Sequence, residues 1–168
     1  VHVRKLQRHL SASTSMTDCK QLESNWLAIE IDEIKLDEGE RLVAYKDSLG
    51  IPTIGVGHTK GVKMGDVWTK EQSYQHLRED VEEALKDAKA VCSSFDELTG
   101  PRKGVILNMS FNLGRQRLAG FKNTLRFINA GNYSQAARNM LLSQWATQVG
   151  RRANRLAYRM EHNEYAAR

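Results

Sequence analysis

The sequence predicts a helix-dominated α+β fold, with a small β-hairpin between the first helix and a larger helical body. Three observations carry this. From Trp26, apolar residues recur at helical spacing in Leu27, Ile31 and Ile34, with Leu36 nearby and acids between them, until Gly39 stops the pattern. Residues 42–58, LVAYKDSLGIPTIGVGH, alternate apolar and polar around turn chemistry at Asp47-Ser48-Leu49-Gly50. After Thr69 the pattern is helical to the end of the chain.

The elements follow in order. Residues 1–24 are basic and polar, without the apolar core of a secretory signal, and read as a tail, a linker or residues foreign to the domain. Their apolar triplet Val3, Leu6 and Leu10 is too short to hold a helix alone. Residues 25–39 open the helical body, 40–68 form the small lobe, and 69–168 complete the body. Thr69 and Gln72 have the spacing of a capping box. The helix they start runs to about Val91, with Leu77, Val81, Leu85 and Ala88 on its inner face. Pro101 suits a first helical position, and the nearly apolar GVILNMSFNLG is a buried central helix. Shorter helices fill 120–143, broken at Gly120 and Gly131, and a basic helical region interrupted at Gly150 follows Trp145.

Composition narrows the function classes. With 168 residues, 40% hydrophobic and 27% charged, the chain makes one globular domain and not a disordered one. No apolar run reaches the roughly 18–20 residues of a membrane span. Two cysteines and five scattered histidines supply neither a disulfide scaffold nor a metal site. Cys92 reads as a small buried hydrophobe. Residues 1–100 carry a net charge of −5 and residues 101–168 one of +10. The basic half suits a polyanion such as nucleic acid, an anionic membrane or cell wall, or serves solubility alone. Arg151, Arg152, Arg155 and Arg159 concentrate that charge.

The chemistry gathers between residues 37 and 58. Glu38 closes a helix, where the dipole makes a negative charge unfavourable. Asp47 sits in the hairpin turn, an ordinary place for Asp. Together they become candidates for the two carboxyls that flank a scissile glycosidic bond. Thr53 offers a hydroxyl to hold a water beside Asp47, although singly it reads as a β-former. The glycines of TIGVGH start no helix and make no phosphate loop; in a strand they mark close approach of a ligand or another backbone, which suits an extended sugar chain.

LDEGERLVAYKDSLGIPTIGVGHT closely resembles the phage-type lysozymes, the endolysin muramidases of glycoside hydrolase family 24. The segments TKEQSYQHLREDVEEAL, RKGVILNMSFNLG, LAGFKNTLRFINAGNYSQAARNML and SQWATQVGRRANR resemble successive blocks of the same family, so the likeness covers roughly residues 28–168. It implies a lysozyme-like fold of two lobes. It implies that Glu38 is the general acid, Asp47 the second carboxylate and Thr53 the hydroxyl that helps place the water. Arg152 matches an arginine that pairs with the acid and lines the cleft. Arg155 matches a partner of Asp37, and His58 with Asp80 a pair that holds the small lobe to the long helix. Phe111, Thr124 and Asn139 match saccharide-contacting positions. Asn112 stands where some relatives have a longer amide, facing Trp145.

The resemblance implies hydrolysis of the β-1,4 bond between N-acetylmuramic acid and N-acetylglucosamine in peptidoglycan, by a monomer without metal or organic cofactor. Such a protein is made in the host cytoplasm and meets the wall after release. The rival expectations are a lysozyme fold that binds wall or a protein partner without cleaving, and a basic helical nucleic-acid binder. The second leaves Glu38, Asp47 and Thr53 without a role, and nucleic acid is not expected as a partner.

Overall fold

The computed structural model describes residues 16–168; Val3, Leu6 and Leu10 and the side chain of Cys19 lie outside the described residues. Helix α1 runs from Met16 to Glu38. It begins before Trp26, where the apolar pattern starts, and before the boundary expected at residue 25, because a helix anchored by packed residues extends without a new nucleus. The Gly39 N–H donates back to the Lys35 carbonyl at 2.9 Å and ends it. Ile34 is fully buried while Leu36 is exposed; two residues turn a helix by about 200°, which carries Leu36 to the outer face.

The hairpin pairs β1 (Arg41–Lys46) with β2 (Pro52–Gly55) antiparallel. Tyr45 faces Thr53 and Lys46 faces Pro52, and the register shifts before Arg41 meets Gly55. Single bridges Val43–Val67 and Ile54–His58 widen the small lobe. Gly55 has φ +65°, and a Cβ there would stand 2.9 Å from the Trp68 ring. This glycine makes room for the protein's own indole, and the sequence expectation of a sugar chain does not hold at this position.

Helix α2 (Lys70–Val91) opens on the expected capping box: Thr69 Oγ1 accepts from the Gln72 N–H at 3.1 Å and Gln72 Oε1 from the Thr69 N–H at 2.9 Å. A 3₁₀ turn at Phe95–Glu97 leads to α3 (Gly100–Leu113), whose residues 104–110 are all buried. The remaining helices are α4 (Arg115–Ala119), α5 (Lys122–Asn129), α6 (Tyr133–Leu141), α7 (Gln144–Val149) and α8 (Arg151–His162). The larger core joins Phe95, Ile106, Met109, Ile128, Met140 and Leu156. A smaller one joins Ile34 of α1, Val56 of the small lobe, Leu77 and Val81 of α2 and Leu107 of α3. Helix α3 contributes to both cores and so fixes the small lobe relative to the helical body. The architecture is the helix-dominated α+β fold with a two-stranded sheet that the sequence predicts.

Candidate active site

Glu38 is the last residue of α1 and keeps about a fifth of its side chain in solvent. Its Oε1 accepts from Arg152 Nη1 at 2.8 Å and from Asn112 Nδ2 at 3.4 Å. A Cβ on Gly57 would lie 3.7 Å from Glu38 Oε2, so this second oxygen looks toward the small lobe. Asn112 is held in turn by Trp145, whose indole N–H donates to its Oδ1 at 2.9 Å. Sequence comparison placed Asn112 opposite Trp145; its contact with Glu38 comes from the fold.

Asp47 and Thr53 belong to the hairpin. Asp47 Oδ1 accepts from the Leu49 and Ile51 N–H groups at 2.8 and 2.9 Å, which fixes the carboxylate in the turn. Among the described residues its Oδ2 has no hydrogen-bond partner. The buried Thr53 donates its hydroxyl hydrogen to the Ile51 carbonyl at 2.9 Å. That choice leaves the lone pairs of Thr53 Oγ1 available to accept a hydrogen from a water.

The other expected pairs form. His58 Nδ1 lies 2.7 Å from Asp80 Oδ2 and ties the small lobe to α2. Arg155 closes directly on Asp37, whose side chain is only 4% exposed. Thr124 Oγ1 donates to Asn139 Oδ1 at 2.8 Å. Asn139 lines an open cavity of about 660 Å³ with Phe121, Lys122, Ser143 and Trp145. Phe111 lines a second cavity, of about 240 Å³, with Gly57, His58 and Asp80. Asn112, next to Phe111 on α3, contacts Glu38 on one side and Trp145 on the other. Among the described residues no group of His, Cys, Asp and Glu is placed to hold a metal ion.

The family model described as phage lysozyme matches residues 35–163. The chain belongs to the phage lysozyme family. It is 40% identical over 120 residues to an endolysin of Salmonella phage P22, covering 67% of this chain and 78% of the relative. It is 30% identical over 151 residues to a probable T4-type lysozyme 1 of Dictyostelium discoideum, covering 74% and 89%. It is 32% identical over 147 residues to the peptidoglycan hydrolase gp36 of Pseudomonas phage phiKMV, covering 84% of this chain and 16% of that longer protein. Family membership makes the chain a glycoside hydrolase of the muramidase class.

The protein also contains a buried polar layer that sequence reasoning missed. Glu30 and Glu33 lie among the acids between the apolar positions of α1, and they are 0% and 3% exposed. Arg159, read as a surface cation, is 2% exposed because its Nη1 sits 2.5 Å from Glu30 Oε2 and its Nη2 3.8 Å from Glu33 Oε2. It is therefore not offered to an anionic envelope. Burial pushes the Glu30 carboxyl above its ordinary range, and the Arg159 guanidinium and the Asn108 amide oppose that rise. Gly104 of α3 makes the layer possible: a Cβ there would lie 2.4 Å from Glu30 Oε2. The available signal was helical period, since Glu30 stands one turn before Ile34 and shares its face.

Proposed function

We propose that the chain cleaves the β-1,4 bond between N-acetylmuramic acid and N-acetylglucosamine in peptidoglycan. The observation that carries this reading is the Arg152-held Glu38 at the end of α1, with Oε2 turned toward the lobe that bears Asp47 and Thr53. The name of the phiKMV relative, a peptidoglycan hydrolase, supports the substrate.

In this reading Glu38 protonates the glycosidic oxygen as positive charge develops on the departing sugar ring. Arg152 and Asn112 donate to Oε1, so Oε2 carries the proton that is transferred. A water donates one hydrogen bond to Thr53 Oγ1 and its other hydrogen to Asp47 Oδ2. The Asp47 carboxylate removes that proton as the water attacks the anomeric carbon, and the hydroxyl adds there. The Asp47 turn bonds keep the base from drifting, which is the positional part of the rate enhancement. Phe111, Asn139 and Arg152 line the sugar path; Thr124, expected there from the resemblance, is 1% exposed and holds Asn139 from behind. Residues 25–168 are the hydrolytic unit, acting as a monomer on the wall after release from the host cytoplasm.

Product analysis tests the bond assignment. Purified peptidoglycan is digested, reduced with borohydride and hydrolysed to monosaccharides. The reading predicts muraminitol, the deacetylated alcohol of the muramic acid residue, as the new reduced end. Reduced ends on glucosamine, or non-reducing 1,6-anhydro ends, would overturn it.

A further inference from the structure

Asn108 lies at the middle of α3 and is fully buried. Its Nδ2 donates to Glu30 Oε1 at 2.8 Å and to Asp37 Oδ2 at 3.2 Å. Its Oδ1 accepts from Arg152 Nε at 2.9 Å. The three neighbours decide the orientation of the amide: two carboxylates require the nitrogen on one side, and a guanidinium requires the oxygen on the other. Arg152 then presents Nη1 to Glu38 at 2.8 Å. A continuous ladder thus runs from Arg159 through Glu30, Asn108 and Arg152 to Glu38, tying α8, α1 and α3 together.

We propose that Asn108 is a positioning residue for hydrolysis: it anchors Arg152 Nε, and through that guanidinium it sets where Glu38 presents its proton. The inference rests on the reading of Glu38 as the acid. The physical need is specific. Arg152 is a long side chain with several rotatable bonds; besides Glu38 it meets Asp37 Oδ2 only at 3.6 Å from Nε, beyond hydrogen-bond length, so neither contact fixes its plane. The second bond, at Nε, fixes the plane of the guanidinium. Glu30 matters here because it holds the Asn108 amide, which a lone asparagine facing only Arg152 would lack. A misplacement of about 1 Å in such a group costs up to a hundredfold in rate.

Two substitutions separate positioning from stability. Asn108→Leu keeps the branched skeleton of the side chain and removes both the acceptor for Arg152 and the donor to Glu30 and Asp37. Asn108→Asp keeps an acceptor for Arg152 but sets a carboxylate against Glu30 and Asp37. Stability should therefore suffer more in the Asp variant and catalysis more in the Leu variant. Ile106→Val, a core truncation on the same helix, serves as the stability control. Release of reducing ends is measured per folded molecule, below every melting transition, with wild type and Glu38→Gln in the same assay. The Arg152 Nε–H is followed by nitrogen-15 NMR in each variant.

The expected result is a kcat about tenfold or more lower in Asn108→Leu with KM within twofold, and loss of the slowly exchanging Arg152 Nε–H. Asn108→Asp should keep kcat within about threefold and retain that signal. If Asn108→Leu does not fold, Asn108→Ser, whose oxygen is too short to reach Arg152, takes its place with the same expectation. Wild-type kcat and an unchanged Nε–H signal in the folded Leu or Ser variant would overturn the proposal while leaving the hydrolase reading intact. An inactive wild type, or an active Glu38→Gln, would overturn both.

Discussion

Arg159 Nη1 stands 2.5 Å from Glu30 Oε2, with both side chains out of solvent and 129 residues apart in the chain. A buried pair of this kind is a weak source of net stability but a large liability when halved. Arg159→Met alone should lower unfolding free energy by about 3–5 kcal/mol, because the fully buried Glu30 loses its cation, while Glu33 keeps Arg168 Nη2 at 2.9 Å. Glu30→Met with Arg159→Met should cost far less than the sum of the single changes. Urea titrations of the four proteins give the coupling directly. Additive losses would mean that the pair is not an energetic unit.

Gly104 is tied to the same pair by space alone. Gly104→Ala should destabilise by about 1–3 kcal/mol, since its Cβ would press on the Glu30 carboxylate. In a Glu30→Ala background the nearest obstacle is gone and the remaining one, Arg159 Nη1 at 3.1 Å, is the end of a flexible side chain released from its partner, so the better helix propensity of Ala over Gly should make the same change neutral or favourable by up to about 1 kcal/mol. The pair of melting curves checks the change of sign.

His58 and Asp80 join the small lobe to α2 through a 2.7 Å contact, and neither touches Glu38 in a hydrogen bond or ion pair. Removing either partner, as His58→Ala or Asp80→Ala, should cost roughly 1–3 kcal/mol of stability. Rates measured well below the melting transition should change little. Unchanged melting temperatures in both variants would remove the structural role.

Cys92 is 1% exposed, and its sulfur is close to Ser94 and Asn129. Burial pushes the thiol above its ordinary range, and the thiolate is the reactive form. In a Cys19→Ser protein, an alkylating reagent at mildly alkaline pH should label Cys92 only after unfolding. Fast labelling of the native protein would contradict the burial argument.

How far the sequence could be read depended on how local each signal was. The Thr69–Gln72 cap, the Gly39 stop and the 47–50 turn use neighbouring residues, and each is found where its spacing puts it. The Glu38–Arg152, Asp37–Arg155 and His58–Asp80 contacts span long stretches of chain, and only family resemblance brought those partners together beforehand. The Glu30–Arg159–Asn108 layer escaped both routes. Residue type argued that Glu30 and Arg159 face water, while helical period put Glu30 on the face of Ile34. Without the facing helix, nothing showed that an acid on an apolar face meets a cation there. Gly55 failed for the same reason: its close neighbour is Trp68, a side chain from beyond the strand.

The central claim is that Glu38 donates the proton in a muramidase reaction, and the most direct measurement compares wild type with Glu38→Gln on purified peptidoglycan. The amide keeps the shape of the side chain and cannot supply the acidic proton. New reducing ends are scored, and circular dichroism verifies that both proteins are folded. The account predicts release by wild type and a loss of about a hundredfold or more in a folded Glu38→Gln protein. Comparable release by the two proteins would contradict it.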